Sequence, residues 1–325
     1  MVMKKVFVIL PDKHPYSLCA KSFAQGFEHL GYYVGYEFSS QIDNNLLFNF
    51  SPDILICFDF SELNEGLLFD IKNKKNDTIF IFNFLTSLNL HLDKKSIENL
   101  KNFDANKIIF TVDKSNIKIL PEAMYISNSI NYKKYKSSYS GYSKGITLLS
   151  NPDNINVLKV ITDLISEFGQ ISIYADEIDY VNSLDNELWN DIDDISIKEL
   201  YKKSYCFDII DEKSRAKVLS SSFITVVPIT QTLNGIDFRI LEACASSSFV
   251  ICEESPEIIR LFDSGKEIET YKNTFELIDK IKFYLKNPSI ARKIADNSRS
   301  TAVNNHNVFD TVRKISDIID DKFGK

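Results

Sequence analysis

The sequence predicts an α/β protein built from two strand–helix units. The chain has 325 residues, more than one hydrophobic core usually spans. Short apolar runs rich in β-branched and aromatic residues alternate with polar or helix-periodic stretches along nearly all of it. Residues 131–145, NYKKYKSSYSGYSKG, break that alternation with Tyr, Lys, Ser and Gly.

Val6–Leu10 reads as a buried first strand, and Ser17–Leu30 follows with apolar positions at helical spacing until Gly31 stops it. Tyr32–Phe38 is a second strand, which completes a strand–helix–strand unit. Asp53–Phe58 (DILICF), Thr78–Phe82 (TIFIF) and Lys107–Val112 (KIIFTV) repeat the pattern, with polar or helix-like segments between them. Such alternation argues for a mostly parallel sheet with helices on both faces. Residues 131–145 read as a solvated linker; their basic, aromatic character also fits contact with an acceptor or an anionic membrane surface.

A second set follows. Gly145–Ser150 (GITLLS) and Gln170–Tyr174 (QISIY) read as strands around a helix at Val157–Phe168. Residues 176–197 are acidic and read as a surface excursion. Phe223–Val227 and Phe249–Cys252 are further strands, with a helix over 236–247 between them. Helical patterns at 276–287, 289–303 and 308–323 close the chain. In folds of this kind a ligand lies beyond the carboxyl ends of the strands, in a cleft.

Composition narrows the function. The net charge of -7 disfavours a duplex nucleic-acid binder, which carries a basic footprint. Five widely spaced cysteines read as free thiols in a reducing compartment, and neither they nor the four histidines show metal-ligand spacing. The apolar run near the N-terminus ends at Pro11, too short for a signal peptide, and no stretch has the length of a membrane span. The expectation is a cytoplasmic protein, with membrane association through 131–145 as an alternative.

The stretch DFRILEACASSSFVICEESPEI, residues 237–258, carries the chemistry. On a helix, Ile240, Leu241, Cys244 and Ala245 form an apolar face, while Arg239, Glu242 and Ser246 share another. Asn234-Gly235 precedes the helix, where free backbone amides attract an anion such as a diphosphate. Arg239 would add a charged fork to a phosphate, and Glu242 would accept from a pair of sugar hydroxyls. Asp237 opposes this, because its charge in the first turn repels phosphate unless it points away. The plainer alternative pairs Arg239 with Glu242 on a surface helix.

From Arg239 onward the order and spacing of Arg239, Glu242, Gly265, Glu267, Tyr271, Glu276, Leu277, Tyr284, Pro288, Arg292, Ala295, His306 and Arg313 resemble the C-terminal domain of group 1 glycosyltransferases, especially the CgeB-like branch. The match covers about a quarter of the chain. The resemblance implies the GT-B fold: two Rossmann-like domains facing across a cleft, with the last helix crossing back. It implies an acceptor domain over 1–140, a donor domain over 141–305 and a returning helix over 306–325. It also implies a UDP- or GDP-linked sugar donor, Glu242 at the donor ribose, Arg239 near the phosphates and no need for a bound metal or other cofactor. The acceptor would be a hydroxyl of a glycan, a lipid-linked glycan or a protein. This sequence departs from the family pattern at Asn234, where relatives carry an acid, and at Ser247, where they carry glycine. Ser247 is tolerable at negative φ, whereas positive φ would cost about 1 kcal/mol or more. The glycine-rich loop often found after the first strand is replaced by LPDKHPYS.

Other candidates sit after strands. His14 follows the first strand and is a candidate general base, or a plain loop histidine. Asp59, a catalytic candidate, follows DILICF and Asn83 follows TIFIF; each is a contact to substrate groups, or a plain loop residue or helix cap. Glu253 and Glu254 follow the fourth strand and are candidates for donor hydroxyls, beside a helix start at Ser255-Pro256. Lys203, Arg215 and Lys217 are cations available for phosphate, with nothing to single one out. Two further functional readings stand beside glycosyl transfer: a non-catalytic GT-B binding or scaffold protein, motivated by Asn234 and the missing glycines, and a sugar-nucleotide epimerase.

Overall fold

A computed structural model gives the fold, and it describes residues 3–12, 16–58, 65–84, 94–135, 144–150, 155–174, 199–200, 203–206, 212–228 and 235–324. The chain divides into two compact units. Unit 1 is Met1–Asn131, Leu233–Ile236 and His306–Lys325; unit 2 is Tyr132–Thr232 and Asp237–Asn305.

Unit 1 begins β1 (Lys5–Leu10), α1 (Tyr16–His29), β2 (Tyr33–Phe38), α2 (Asn44–Phe50), β3 (Ile54–Phe58), α3 (Glu65–Lys74), β4 (Ile79–Phe84), α4 (Lys94–Asn102), β5 (Lys107–Thr111) and β6 (Met124–Tyr125). The strands form one sheet in the order β2-β1-β3-β4-β5-β6, and every pairing is parallel. β3 and β4 are buried along their whole length, which is why they read as unbroken apolar runs rather than alternating ones. On one face Phe7, Leu55, Phe80, Phe82 and Ile109 pack with residues of α2, α3 and α4. On the opposite face, Phe58 meets Phe23 of α1 edge to face at 5.3 Å.

Unit 2 holds β7 (Lys144–Leu149), α5 (Ile155–Phe168), β8 (Ser172–Tyr174), β9 (Tyr205–Cys206), α6 (Glu212–Ser221), β10 (Ser222–Val227), α7 (Phe238–Ala245), β11 (Phe249–Glu253), α8 (Pro256–Leu261), β12 (Glu269–Tyr271), α9 (Thr274–Lys286) and α10 (Pro288–Asn305). Its sheet runs β12-β11-β10-β7-β8-β9, again with parallel pairings. The chain winds outward from β7 to one edge, then returns to β10 and winds to the other. That is the doubly wound dinucleotide-fold order, with its switch point between β7 and β10. The last helix, α11 (Val308–Phe323), belongs to unit 1 and packs on α1.

Residues 131–135 correct the reading of a solvated linker. Asn131 is 4% exposed and Tyr135 is fully buried, while Lys133 and Lys134 face solvent. A single aromatic anchor between lysines leaves no periodicity to read. Residues 136–143 of the basic strip, and the acidic stretch 176–197, lie outside the described residues.

Candidate functional site

α7 is the element around which the site in unit 2 is built. It runs over Phe238–Ala245, shorter at both ends than the sequence suggests. Asp237 sets the start: its backbone is extended and its side chain accepts from Arg239 N at 2.8 Å. Ser246 to Ser248 set the end. Ser247 N donates to Cys244 O at 3.0 Å and Ser248 N to Ala243 O at 3.1 Å, the paired bonds of a Schellman motif. Its left-handed position falls on Ser247, with φ 60°. The turn therefore takes the positive-φ option. Ser248 then ties the first residues of β11 to β10, with its Oγ 2.5 Å from Thr225 Oγ1.

Arg239 and Glu242 are both buried, and each has a partner other than the other. Arg239 turns back on Asp237, with Nη2 2.6 Å from Oδ2 and Nε 3.1 Å from Oδ1. Its Nη1 also reaches Leu149 O at the carboxyl end of β7, at 3.5 Å. This places the guanidinium at the switch point of the sheet. The Asp237 carboxylate neutralises it there, and a phosphate binding Arg239 would have to take it over from Asp237.

Glu242 is fully buried, and Arg215 of α6, 3% exposed, meets it side-on. Arg215 Nε donates to Oε1 at 2.9 Å and Nη2 to Oε2 at 2.6 Å. Tyr135 Oη donates to Oε1 at 2.7 Å. Such a fork compensates the burial of a carboxylate, and removing one partner is costly. Sequence reading offered Arg215 as one of three cations for phosphate; it is instead the counter-ion of Glu242. The pairing of Arg239 with Glu242 on a surface helix is likewise not what forms. Arg215 and Glu242 lie 27 residues apart, beyond the reach of any helical-spacing argument. Tyr135 gave no sequence signal, being one of several tyrosines in a basic strip.

The remaining candidates are dispersed. Gly235 is buried just before α7. Glu254 follows β11, half-buried, its N bonded to Tyr271 O at 2.8 Å and its carboxylate 3.4 Å from Lys272 Nζ. Beside it the Tyr271 hydroxyl is buried without a hydrogen-bond partner among the described residues, and burial with Glu253 nearby pushes its titration far above the usual phenol range. Ser255 caps α8, accepting from Ile258 N at 3.2 Å. In unit 1, Asn83 sits in β4 between Phe58 and Phe110 of the flanking strands, buried, with Oδ1 unpartnered among the described residues. His306 is buried, with Nδ1 3.4 Å from Ser127 Oγ and its carbonyl accepting from Ile130 N, and Arg313 pairs with Asp310 on the surface of α11. His14, Asp59 and Asn234 lie outside the described residues. In sequence, His14 comes in the segment after β1 and Asp59 directly after β3, the strands that flank the switch point of the unit 1 sheet.

Two parallel doubly wound sheets in one chain, with a charged helix at the switch point of the second, define the class: this is a GT-B fold. Residues 197–317 match the family described as Glycosyl transferase-like, so the C-terminal region carries a glycosyltransferase domain. No curated protein matches the chain in sequence. Among solved structures, the Anabaena protein HepE in complex with UDP and glucose has a TM-score of 0.69 at 13% identity, covering 98% of this chain and 100% of its own. An alpha-glucosyltransferase in complex with UDP-glucose and DNA containing an abasic site has a TM-score of 0.73 at 10% identity, covering 98% and 100%. Sucrose-phosphate synthase from Thermosynechococcus elongatus has 0.66 at 10%, covering 99% and 100%.

Proposed function

We propose that the chain transfers a sugar from a UDP-linked donor to a hydroxyl of a glycan, a lipid-linked glycan or a protein. The carrying observation is Glu242. Inside the family-matched region, a buried carboxylate is forked by Arg215 across both oxygens and takes Tyr135 on Oε1, which leaves the outer position of Oε2 to a hydroxyl donor. Each carboxylate oxygen accepts at two positions, so Oε2 keeps one that suits a ribose hydroxyl. Arg239, at the carboxyl end of β7, stands near the donor phosphates, and Gly235 lets backbone approach them. Asn234 and Glu254 take hydroxyls of the transferred sugar. His14 is the general base for the acceptor and Asp59 its partner in the acceptor domain. Arg239 and backbone amides meet the charge of the departing diphosphate, so transfer is metal-independent in this reading. UDP ranks ahead of GDP because solved neighbours of the same fold hold UDP or UDP-glucose. A cytoplasmic setting with peripheral membrane contact through 131–145, and the CgeB-like branch, belong to the same proposal.

Titration calorimetry with UDP tests it. Wild-type protein is expected to bind, and Arg239→Ala to bind more weakly by roughly 1.5–3 kcal/mol. Absence of UDP and GDP binding at millimolar concentration would refute the donor site. The Asp237–Arg239 pair favours a second reading, a binding protein with a weakened phosphate site. Turnover of UDP-sugar in the presence of acceptor separates the two. Isomerised donor without acceptor would instead indicate an epimerase.

A further inference from the structure

We propose that Arg299 of α10, together with Lys134 at the start of the basic strip, is a binding site for a phosphate group. Arg299 is half-buried, and a guanidinium withdrawn from water is ordinarily paired with an acid. This one is not. Among the described residues its one hydrogen bond runs from Nη1 to the carbonyl of Tyr135, at 2.9 Å, and no carboxylate pairs with it. Asp296, one turn earlier on α10, is taken by Arg292 at 2.9 Å. Glu242, at the hydroxyl end of Tyr135, is taken by the Arg215 fork. Burial, with no neighbouring charge to offset it, pushes the Arg299 guanidinium below its usual titration range.

The chemistry left over defines the ligand. A guanidinium carries five N–H donors in a planar fork, and the Tyr135 carbonyl takes one of them. A carbonyl satisfies a donor but does not neutralise a charge, so the bond to Tyr135 leaves the anion still to be supplied. Lys134 directly precedes Tyr135 in the chain and faces solvent, which puts a second positive charge beside the first. A phosphate offers three oxygens, two for the fork of Arg299 and one for Lys134. The turn that carries Lys134 is held in place without the ligand. Tyr135 N donates to Tyr132 O at 3.2 Å, and the buried Tyr135 ring is moored by its hydroxyl on Glu242 at 2.7 Å. Arg299, Lys134 and Tyr135 all belong to unit 2. The phosphate is that of a lipid headgroup or of a soluble phosphate compound, and the site does not depend on the donor-site reading.

Two measurements on the full chain test it: thermal unfolding in inorganic phosphate against chloride of equal ionic strength, and sedimentation with vesicles of phosphatidylcholine with and without phosphatidylglycerol. Wild type is compared with Arg299→Met and Lys134→Gln. A ligand that binds only the folded state raises Tm by mass action. A phosphate-specific rise in Tm, or binding to the phosphatidylglycerol vesicles alone, is expected in the wild type. Arg299→Met should weaken that binding about tenfold, and Lys134→Gln should weaken it less. Lys134→Gln alters an exposed side chain, so it reads the site even where Arg299→Met fails to fold. A rise in Tm without vesicle binding assigns a soluble phosphate compound; vesicle binding that the variants weaken assigns a headgroup. Neither response in the wild type overturns the inference. A response undiminished in every folded variant also overturns it, and marks an adventitious ion only. Calorimetry with UDP on the wild type is read separately, so failure of the donor site and failure of this one are told apart.

Discussion

Ser247 turns the chain at φ 60°, where the Cβ of an L residue crowds the following carbonyl and glycine has no such conflict. The serine is kept there by its neighbours: the two amide bonds that close α7, and Ser248 pinned to Thr225. Ser247→Gly should therefore stabilise the protein by about 1 kcal/mol, read as a higher urea midpoint with an unchanged slope. A lower midpoint would mean that the serine side chain contributes something the backbone geometry does not show. The same stretch marks how far single residues were legible. That Arg239 and Glu242 are special could be read from two charges in an apolar helix. Their partners could not. Asp237 reaches Arg239 only because it adopts an extended capping conformation, and Arg215 reaches Glu242 only because α6 packs against α7.

Long elements with clean periodicity or unbroken apolar runs were readable from the sequence. β1, β3, β4 and α11 appear within a residue or two of where the pattern puts them. Short elements were not. α4 is KKSIENLKN, with too few apolar residues to show a period, and β12 is three residues of an edge strand. Helix ends follow local chemistry instead. Asn273 begins α9, its side chain accepting from Glu276 N at 3.0 Å, and Glu276 returns a bond from Lys272 N at 2.9 Å. Asn273→Ala should cost about 1 kcal/mol in unfolding free energy, measured by urea denaturation. The Glu276 carboxyl is held below its ordinary range, first by Lys280 and then by the Lys272 amide. A depressed folded value gives stability that is present above the unfolded pKa and is lost as pH falls through the folded one. Glu276→Gln should accordingly flatten the acid side of the stability curve slightly, since solvent screens this exposed site.

At the largest scale each unit is held by contacts between distant stretches of chain. In unit 1, Gly26 of α1 lies so close to α11 that an added Cβ would stand 2.7 Å from Val312 Cγ2 and 3.2 Å from its Cβ. Tyr32 Oη and Ser316 Oγ are bonded at 2.7 Å in the same unit. Gly26→Ala should lose about 1–3 kcal/mol to overpacking, less the roughly 1 kcal/mol gained in helix propensity. Chemical unfolding of the full chain measures the balance. A net gain in stability would show that α11 can shift to make room. Unit 1 also takes in Leu233–Ile236, through a bond from Asn128 Nδ2 to Ile236 O at 2.8 Å.

The sequence by itself determined the class of fold, because parallel strands buried on both faces must be continuously apolar and the helices between them must be amphipathic. It also determined which helix carries the charge, because a Glu and an Arg in a small-residue apolar segment have no packing reason to be there. The tertiary structure alone decided the strand orders and the pairing of Glu242 with Arg215 and Tyr135. Those depend on which elements stack beside one another. A buried carboxylate chooses its partners by direction and desolvation, and neither is written in sequence spacing.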